Sequence, residues 1–235
     1  MPKNKCIILV PIYNEGENID FIIDDLKQAK GCDVVFINDS SKDNSKEQLH
    51  IKGATVINLP INLGIGGCIQ TGYKYAYDKG YEIAIQYDGD GQHCASYAKD
   101  LIDEIEKGYD YVIGSRFVTK EGFQSTKARR IGIKMLAGII RILSGKKIGD
   151  VTSGFRACNR EVMALFVKYY PRDYPEPEVA GALAKNGYAI SEIAVKMRER
   201  QGGTSSIRPF KSIYYMIKVT VAILFAAFFY PKKGK

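Results

Sequence analysis

The sequence predicts an α/β fold, a mostly parallel sheet with helices on both faces, and three observations carry that expectation. Short apolar runs alternate with helix-period stretches every 20–30 residues or so through the first half of the chain. Each run ends in a polar or glycine-rich cluster. With 235 residues, 46% of them hydrophobic and 26% charged, the chain fits one α/β domain with a small appendage. That composition excludes a disordered chain and a multi-span membrane protein. Alternating strands and helices favour right-handed βαβ units, and in such sheets chemistry lies beyond the carboxyl ends of the strands.

Taken in order, the first strand is Cys6–Val10, followed by Pro11-Ile12-Tyr13-Asn14-Glu15. A helix follows, with Ile19, Ile22, Ile23 and Leu26 at helical spacing. The second strand, Val34–Ile37, ends in Asn38-Asp39-Ser40-Ser41-Lys42-Asp43. The third, Ala54–Leu59, leads into Asn62-Leu63-Gly64-Ile65-Gly66-Gly67. This loop lets backbone approach a ligand or a neighbouring chain. It is not a dinucleotide fingerprint, because Ile69 stands where the last glycine is required. The fourth strand, Ile83–Tyr87, ends in Asp88-Gly89-Asp90-Gly91-Gln92-His93; a helix with Leu101, Ile102 and Ile105 follows, and the fifth strand, Tyr111–Ser115, ends at Arg116. Five successive strand ends therefore converge on one expected site.

Asp88 and Asp90 stand two apart, so alternation sends both carboxylates to one side. Two such neighbours repel unless a cation lies between them, and carboxylate oxygens suit Mg2+ or Mn2+ shared with substrate phosphates. Gln92 continues the spacing. An EF-hand is excluded, since the sixth loop residue is His93 and the twelfth is Lys99. His93 receives no role. Asp39 suits a nucleobase or ribose, with the N-cap of the helix that starts near Asp43, which Ser40 or Ser41 could fill equally well, as its competing use. Arg116 suits bidentate phosphate recognition.

The formal net charge of +8 is unevenly spread. Residues 1–115 carry 11 basic and 18 acidic side chains, residues 116–150 carry 9 and 2, and residues 196–235 carry 9 and 1. An acidic half followed by basic segments points to a polyanion or an anionic membrane surface. In residues 127–147, Lys127, Arg130, Lys134 and Arg141 form a basic stripe. Ile131, Met135, Leu136, Ile139, Ile140 and Leu143 form the expected opposite face. Such a helix suits the plane of an anionic membrane, and a core-packed helix with a solvated face would read the same way. Residues 210–230 could form a helix of about 31 Å. Lys218 near its middle disfavours a span, so an interfacial or re-entrant anchor is expected. Lys232, Lys233 and Lys235 favour a cytoplasmic C-terminus. The first apolar run is too short for a signal-peptide core, so no export is expected. The five cysteines form no CxxC pair and read as buried, reduced thiols.

These motifs, with Gly114-Ser115-Arg116, Thr152-Ser153-Gly154-Phe155-Arg156 and Arg200-Gln201-Gly202-Gly203-Thr204-Ser205 downstream, resemble family 2 glycosyltransferases of the GT-A fold. The resemblance is closest to the polyprenyl-phosphate (dolichol- or undecaprenyl-phosphate) sugar transferases, and it spans residues 10 to 205. It implies a nucleotide pocket of Pro11, Tyr13, Glu15, Asp39, Gly64 and Asp88, and a metal site of Asp88, Asp90 and Gln92 for Mg2+ or Mn2+. It implies that Arg116, Arg129 or Arg130, and Arg200 bind the acceptor phosphate, with Asp90, Arg116, Arg130 and Arg200 carrying catalysis. Asn38 departs from the pattern, because the family commonly has aspartate there. The implied reaction moves a sugar, from UDP-glucose or UDP-N-acetylglucosamine before GDP-mannose, to a lipid phosphate at the cytoplasmic face of the cell membrane. A small membrane protein is an implied partner. The expected division is a catalytic domain over residues 1–205 and a membrane-associated helix and basic tail over 206–235. A family 2 transferase with a saccharide hydroxyl acceptor remains an alternative and would need a carboxylate base. A non-catalytic membrane scaffold is opposed by the intact Asp88/Asp90 pair. A basic nucleic-acid-binding protein is opposed by the acidic first half and the lack of any nucleic-acid motif.

Overall fold

The first strand, β1 (Cys6–Ile12), is buried at every position, as a strand covered on both faces requires. In the computed structural model, which describes residues 5–119, 121–122, 126–199 and 212–234, it lies inside a seven-stranded sheet. The other strands are β2 (Cys32–Asn38), β3 (Val56–Asn58), β4 (Ile83–Gln86), β5 (Tyr111–Ser115), β6 (Arg156–Asn159) and β7 (Ile190–Ala194), in the order β3-β2-β1-β4-β6-β5-β7. All neighbours run parallel except β6, which is antiparallel to both β4 and β5. The mostly parallel α/β expectation therefore holds, with one reversed strand inserted.

Alternation along β1 divides the core. Ile7 and Leu9 join Val35, Ile37, Ile69 and Tyr73 on one face, while Ile8, Val10 and Ile12 join Ile19, Ile22 and Leu101 on the other. The second face is covered by α1 (Ile19–Leu26) and α4 (Ala98–Glu106), and α2 (Ser45–Ile51) packs near them through Leu49. The first face is covered by α3 (Gly64–Lys79), α5 (Lys127–Ser144), α6 (Arg160–Lys168), α7 (Pro175–Lys185) and α8 (Ser212–Phe229). Pro11 sits beyond Leu9, the last β1 residue with a β4 partner, where a missing N–H is tolerated.

Two helices differ from expectation. In α5 the core-facing residues are Ile133, Leu136 and Ile140, and Ile131 and Met135, expected on that face, are exposed. The helix is apolar on two sides, so spacing alone does not choose which side enters the core. Ile131, Met135 and Ile142 form an exposed apolar stripe beside Arg130, Lys134 and Arg141. The C-terminal helix α8 is docked on the domain. Val219 and Ile223 are buried in the sheet's own core, Ala226 and Ala227 are also buried, and Gly181 of α7 has no room for a Cβ, which would lie 2.8 Å from Ile223. Lys218 pairs with Asp173 at 2.7 Å. Among the described residues no helix is long and apolar enough to cross a membrane. The outer face of α8 still exposes Ile217, Val221, Phe225, Phe228 and Phe229. The expected boundary between residues 205 and 206 lies outside the described residues.

Candidate functional site

Because β1, β2 and β4 run parallel side by side, their carboxyl ends share one sheet edge. Gly89 brings the β4 end against β1, since a Cβ there would lie 2.5 Å from the Pro11 carbonyl oxygen. Asp88 is fixed from two sides. Gln86 donates from Nε2 to Oδ1 at 3.1 Å, and the His93 ring nitrogen Nε2 lies 3.1 Å from Oδ2. Its side chain is nevertheless one-third exposed, at 33%. Gly154 faces it so closely that a Cβ would sit 1.9 Å from Oδ2, so any larger residue displaces the carboxylate. Asp90 accepts from the Gln92 amide N–H at 3.1 Å. The Gln92 side chain donates to the Arg198 carbonyl at 3.4 Å, leaving its amide oxygen as its acceptor.

The support beneath Asp88 is polar and buried. Burial pushes the Asp88 carboxyl up, but the hydrogen bond and charge of His93, then Gln86 and the Arg156 charge, together hold it below the usual carboxylate range. Arg156 is fully buried at the start of β6 and donates to the Ser153 carbonyl, the Tyr111 hydroxyl and the Glu176 carbonyl. Burial raises the Glu176 carboxyl, with Arg156 opposing and Asp88 adding to the rise. His93 stacks on Phe155 at 5.1 Å and meets Tyr87 edge-on. Its Nδ1 is buried with no partner among the described residues. A second support starts at Asp25, which is buried in α1. It accepts from Tyr87 Oη at 2.9 Å, the Ala95 N–H at 2.7 Å and Arg198 Nη2 at 2.6 Å. Arg198 also donates to the His93 carbonyl at 2.9 Å, so the loop from Asp88 to Ala95 is tied to α1 and to the chain after β7.

On the nucleotide side, Asp39 is buried and accepts from the N–H groups of Leu63 and Gly64 at 2.7 and 3.0 Å. The carboxylate thus caps the start of α3 and fixes the Gly64 loop, rather than capping the helix near Asp43. Asn38, the departure from the family pattern, bridges β2 to β3 through Asn58 at 2.9 Å and accepts from the Ser41 N–H at 3.1 Å. Tyr13 is exposed at 45%, and Glu15 accepts from Asn18 at 2.6 Å. Beside them a cleft of about 580 Å³ opens between Asn14, Glu15, Lys42 and Asp43.

The arginines part company. Arg116, expected to hold phosphate, is buried and turned inward. Nε and Nη2 donate to Asp150 at 2.7 Å each, and Nη2 reaches the Thr152 hydroxyl at 3.0 Å. Asp150 is held in turn by Glu192, which accepts from its N–H at 2.9 Å. Arg129 is exposed and Arg130 half-buried in the first turn of α5, which the Thr126 side chain caps. Arg130 opens onto a groove of about 630 Å³, whose walls mix Lys134, Arg141 and Lys147 with Phe117 and Ile131. Arg200 and the 200–205 motif lie outside the described residues.

Among the described residues no group of three or more His, Cys, Asp or Glu side chains is arranged to hold a metal ion. Asp88, Asp90 and Gln92 offer two carboxylates and an amide, a hard-oxygen set that suits Mg2+ or Mn2+ retaining waters and sharing substrate phosphate. The fixing of Asp88 by His93 and Gln86 is the outer-shell support that ligating carboxylates receive, so the residues present fit such an ion. Sequence reasoning missed His93, Gln86, Asp25 and Asp150. Asp25 carried a signal, being a charge three residues after Ile22 on the apolar stripe of α1.

Residues 7–166 match the family model described as glycosyl transferase family 2. Polyprenol monophosphomannose synthase of Mycolicibacterium smegmatis is 26% identical over 220 residues, covering 88% of this chain and 82% of that protein. UDP-N-acetylglucosamine–dolichyl-phosphate N-acetylglucosaminyltransferase of Methanococcus voltae is 28% identical, covering 92% and 96%. The crystal structure of glucosyl-3-phosphoglycerate synthase from Mycobacterium tuberculosis with Mn2+, UDP-glucose and phosphoglyceric acid superposes with a TM-score of 0.71 at 17% identity. The match covers 99% of this chain and 82% of that one, and it shows a shared GT-A fold.

Proposed function

The chain belongs to glycosyl transferase family 2, and on that premise we propose that it moves a sugar from a nucleotide-sugar to a polyprenyl phosphate at the cytoplasmic face of the membrane. UDP-glucose and UDP-N-acetylglucosamine are the donors proposed first. The observation that carries the acceptor reading is the groove beside Arg130. It pairs cationic side chains (Arg130, Lys134, Arg141 and Lys147) with apolar walls from Phe117, Ile131 and Ile148, a combination suited to a phosphate with a hydrocarbon chain attached. The membrane reading is supported by the exposed stripe Ile131, Met135 and Ile142 next to basic residues, and by the apolar outer face of α8. The two relatives matched by sequence, a polyprenol monophosphomannose synthase and a dolichyl-phosphate N-acetylglucosaminyltransferase, carry different sugars, which supports the polyprenyl-phosphate acceptor more than the donor.

Asp88, Asp90 and Gln92 would hold a Mg2+ or Mn2+, which would supply charge to offset the departing nucleotide diphosphate. His93 and Gln86 keep Asp88 ionised and aimed. Arg130 orients the acceptor phosphate, whose second pKa of about 6 leaves it ionised at neutral pH. A phosphate oxygen then attacks the anomeric carbon as the bond to the nucleotide breaks. No general base is needed, and the single displacement inverts the anomeric centre.

The test is radiolabel transfer from several nucleotide-sugars to undecaprenyl phosphate, with Mn2+ or Mg2+ and with soluble saccharides as competing acceptors. Transfer to the saccharides and none to the lipid would replace this reading with the hydroxyl-acceptor one. Arg130→Ala is expected to raise the KM for the lipid acceptor roughly 10- to 100-fold, the worth of one charge-assisted hydrogen bond, with the donor KM little changed. His93→Ala is expected to raise the Mn2+ concentration for half-maximal transfer about 10- to 100-fold, as loss of an outer-shell partner does. An unchanged metal requirement would remove His93 from the site.

A further inference from the structure

We propose that Cys6 and Cys32 are a redox-active thiol pair that reacts with low-molecular-weight disulfides and closes reversibly into a bond between β1 and β2. The two residues are register partners in the parallel β1–β2 ladder, and their Sγ atoms lie 3.0 Å apart. Neighbouring strands are about 4.8 Å apart, inside the Cα separation that a disulfide spans. Both side chains are already turned toward one another, so closure needs little more than the approach of the two sulfurs.

The two thiols are not equivalent. Cys32 is half-buried, whereas Cys6 is buried. The hydrogen bond with Cys6 draws the Cys32 thiol below its ordinary value against burial and the charge of Asp33. The same hydrogen bond, then burial, pushes Cys6 well up. Cys32 is thus the attacking thiolate and Cys6 the resolving thiol. The other three cysteines lack this arrangement. Cys68 and Cys94 donate to the carbonyls of Ile37 and Lys196, and burial raises Cys68, Cys94 and Cys158. The pair sits where β1 and β2 begin, at the opposite sheet edge from Asp39 and Asp88, so its chemistry is separate from sugar transfer.

The reaction balances with glutathione disulfide as oxidant. The Cys32 thiolate attacks one sulfur of the disulfide and expels one glutathione thiolate, leaving a mixed disulfide. Cys6 loses its proton and attacks Cys32 Sγ, expelling the second. Two cysteine thiols are oxidised, their two electrons reduce one glutathione disulfide to two glutathiones, and those take up the two protons. Low-molecular-weight thiols reverse both steps, as expected of a transient disulfide in a reducing compartment.

The full chain, incubated with excess oxidised glutathione, then denatured and alkylated, is read by intact mass and peptide mapping. The expected result is that two of the five thiols escape alkylation, that the peptides containing Cys6 and Cys32 are joined, and that dithiothreitol restores all five. Cys6→Ser is expected to hold the glutathione adduct on Cys32 without resolving it, and Cys32→Ser to form neither adduct nor cross-link. Alkylation of all five thiols in the wild-type chain overturns the proposal, as does an adduct on Cys32 that never passes to Cys6. The wild-type mapping decides the question even where a variant folds poorly.

Discussion

An Asp90→Ala variant is expected to lose about 10³-fold or more of its sugar-transfer rate while keeping its fold. The carboxylate lies just past the end of β4, is only half-buried, and accepts from the Gln92 backbone N–H. Its proposed work is electrostatic. It shares the cation that neutralises the departing diphosphate, and a term of several kcal/mol in that step converts to about three decades of rate. Asp88→Ala is expected to be as inactive but also less stable, because it strips His93 and Gln86 of their shared acceptor. The comparison is made by transfer assay beside thermal melting. A wild-type rate in Asp90→Ala with the metal chelated would sink the metal reading, because no other described carboxylate pair stands at the same strand end.

How much of this could be read from the chain depends on the distance over which each interaction acts. Strands β1 to β5 were legible because each is an apolar run bounded by polar residues, and their parallel alignment followed from the intervening helices. β6 and β7 were not, since Arg156-Ala157-Cys158-Asn159 begins with a charge and Ile190-Ser191-Glu192-Ile193-Ala194 is half-polar. The convergence of the strand ends on Asp88 was legible for the same reason. What Asp88 leans on was only partly so: His93 is five residues away, but Gly154 and Arg156 arrive from the turn before β6 and its first residue. The use of Asp39 as a cap for the Gly64 loop depends on a contact 24 to 25 residues away in sequence. For α5 and α8 the difficulty was different. Both are apolar on more than one side, so periodicity names the helix without naming the face that the sheet takes.

The largest stability effect is expected at Asp150. Asp150→Ala should lower unfolding stability by about 3–5 kcal/mol, the cost of leaving a buried charge without its partner. For a chain of this size that is a drop in Tm of roughly 6–20 °C. The reason is the geometry of Arg116. Its guanidinium is 6% exposed, Asp150 is fully buried, and two parallel N–H donors at 2.7 Å bind the pair. Replacing both members with apolar side chains, as in Arg116→Met/Asp150→Leu, is expected to recover most of the loss, because a buried pair contributes little net stability over well-packed hydrophobes. Melting of the wild type, Arg116→Met, Asp150→Leu and the double variant closes the cycle, and the double variant is expected to be far less destabilised than the sum of the two single variants. The same double variant resolves the two uses that Arg116 is offered. If the arginine also holds the acceptor phosphate, the rescued protein melts like the wild type and still fails to transfer sugar. If it serves only to clamp the end of β5 to the loop at Asp150, transfer returns together with stability. Stability and catalysis are thereby separated at one residue, where the motif suggests a phosphate ligand and the packing supplies a carboxylate.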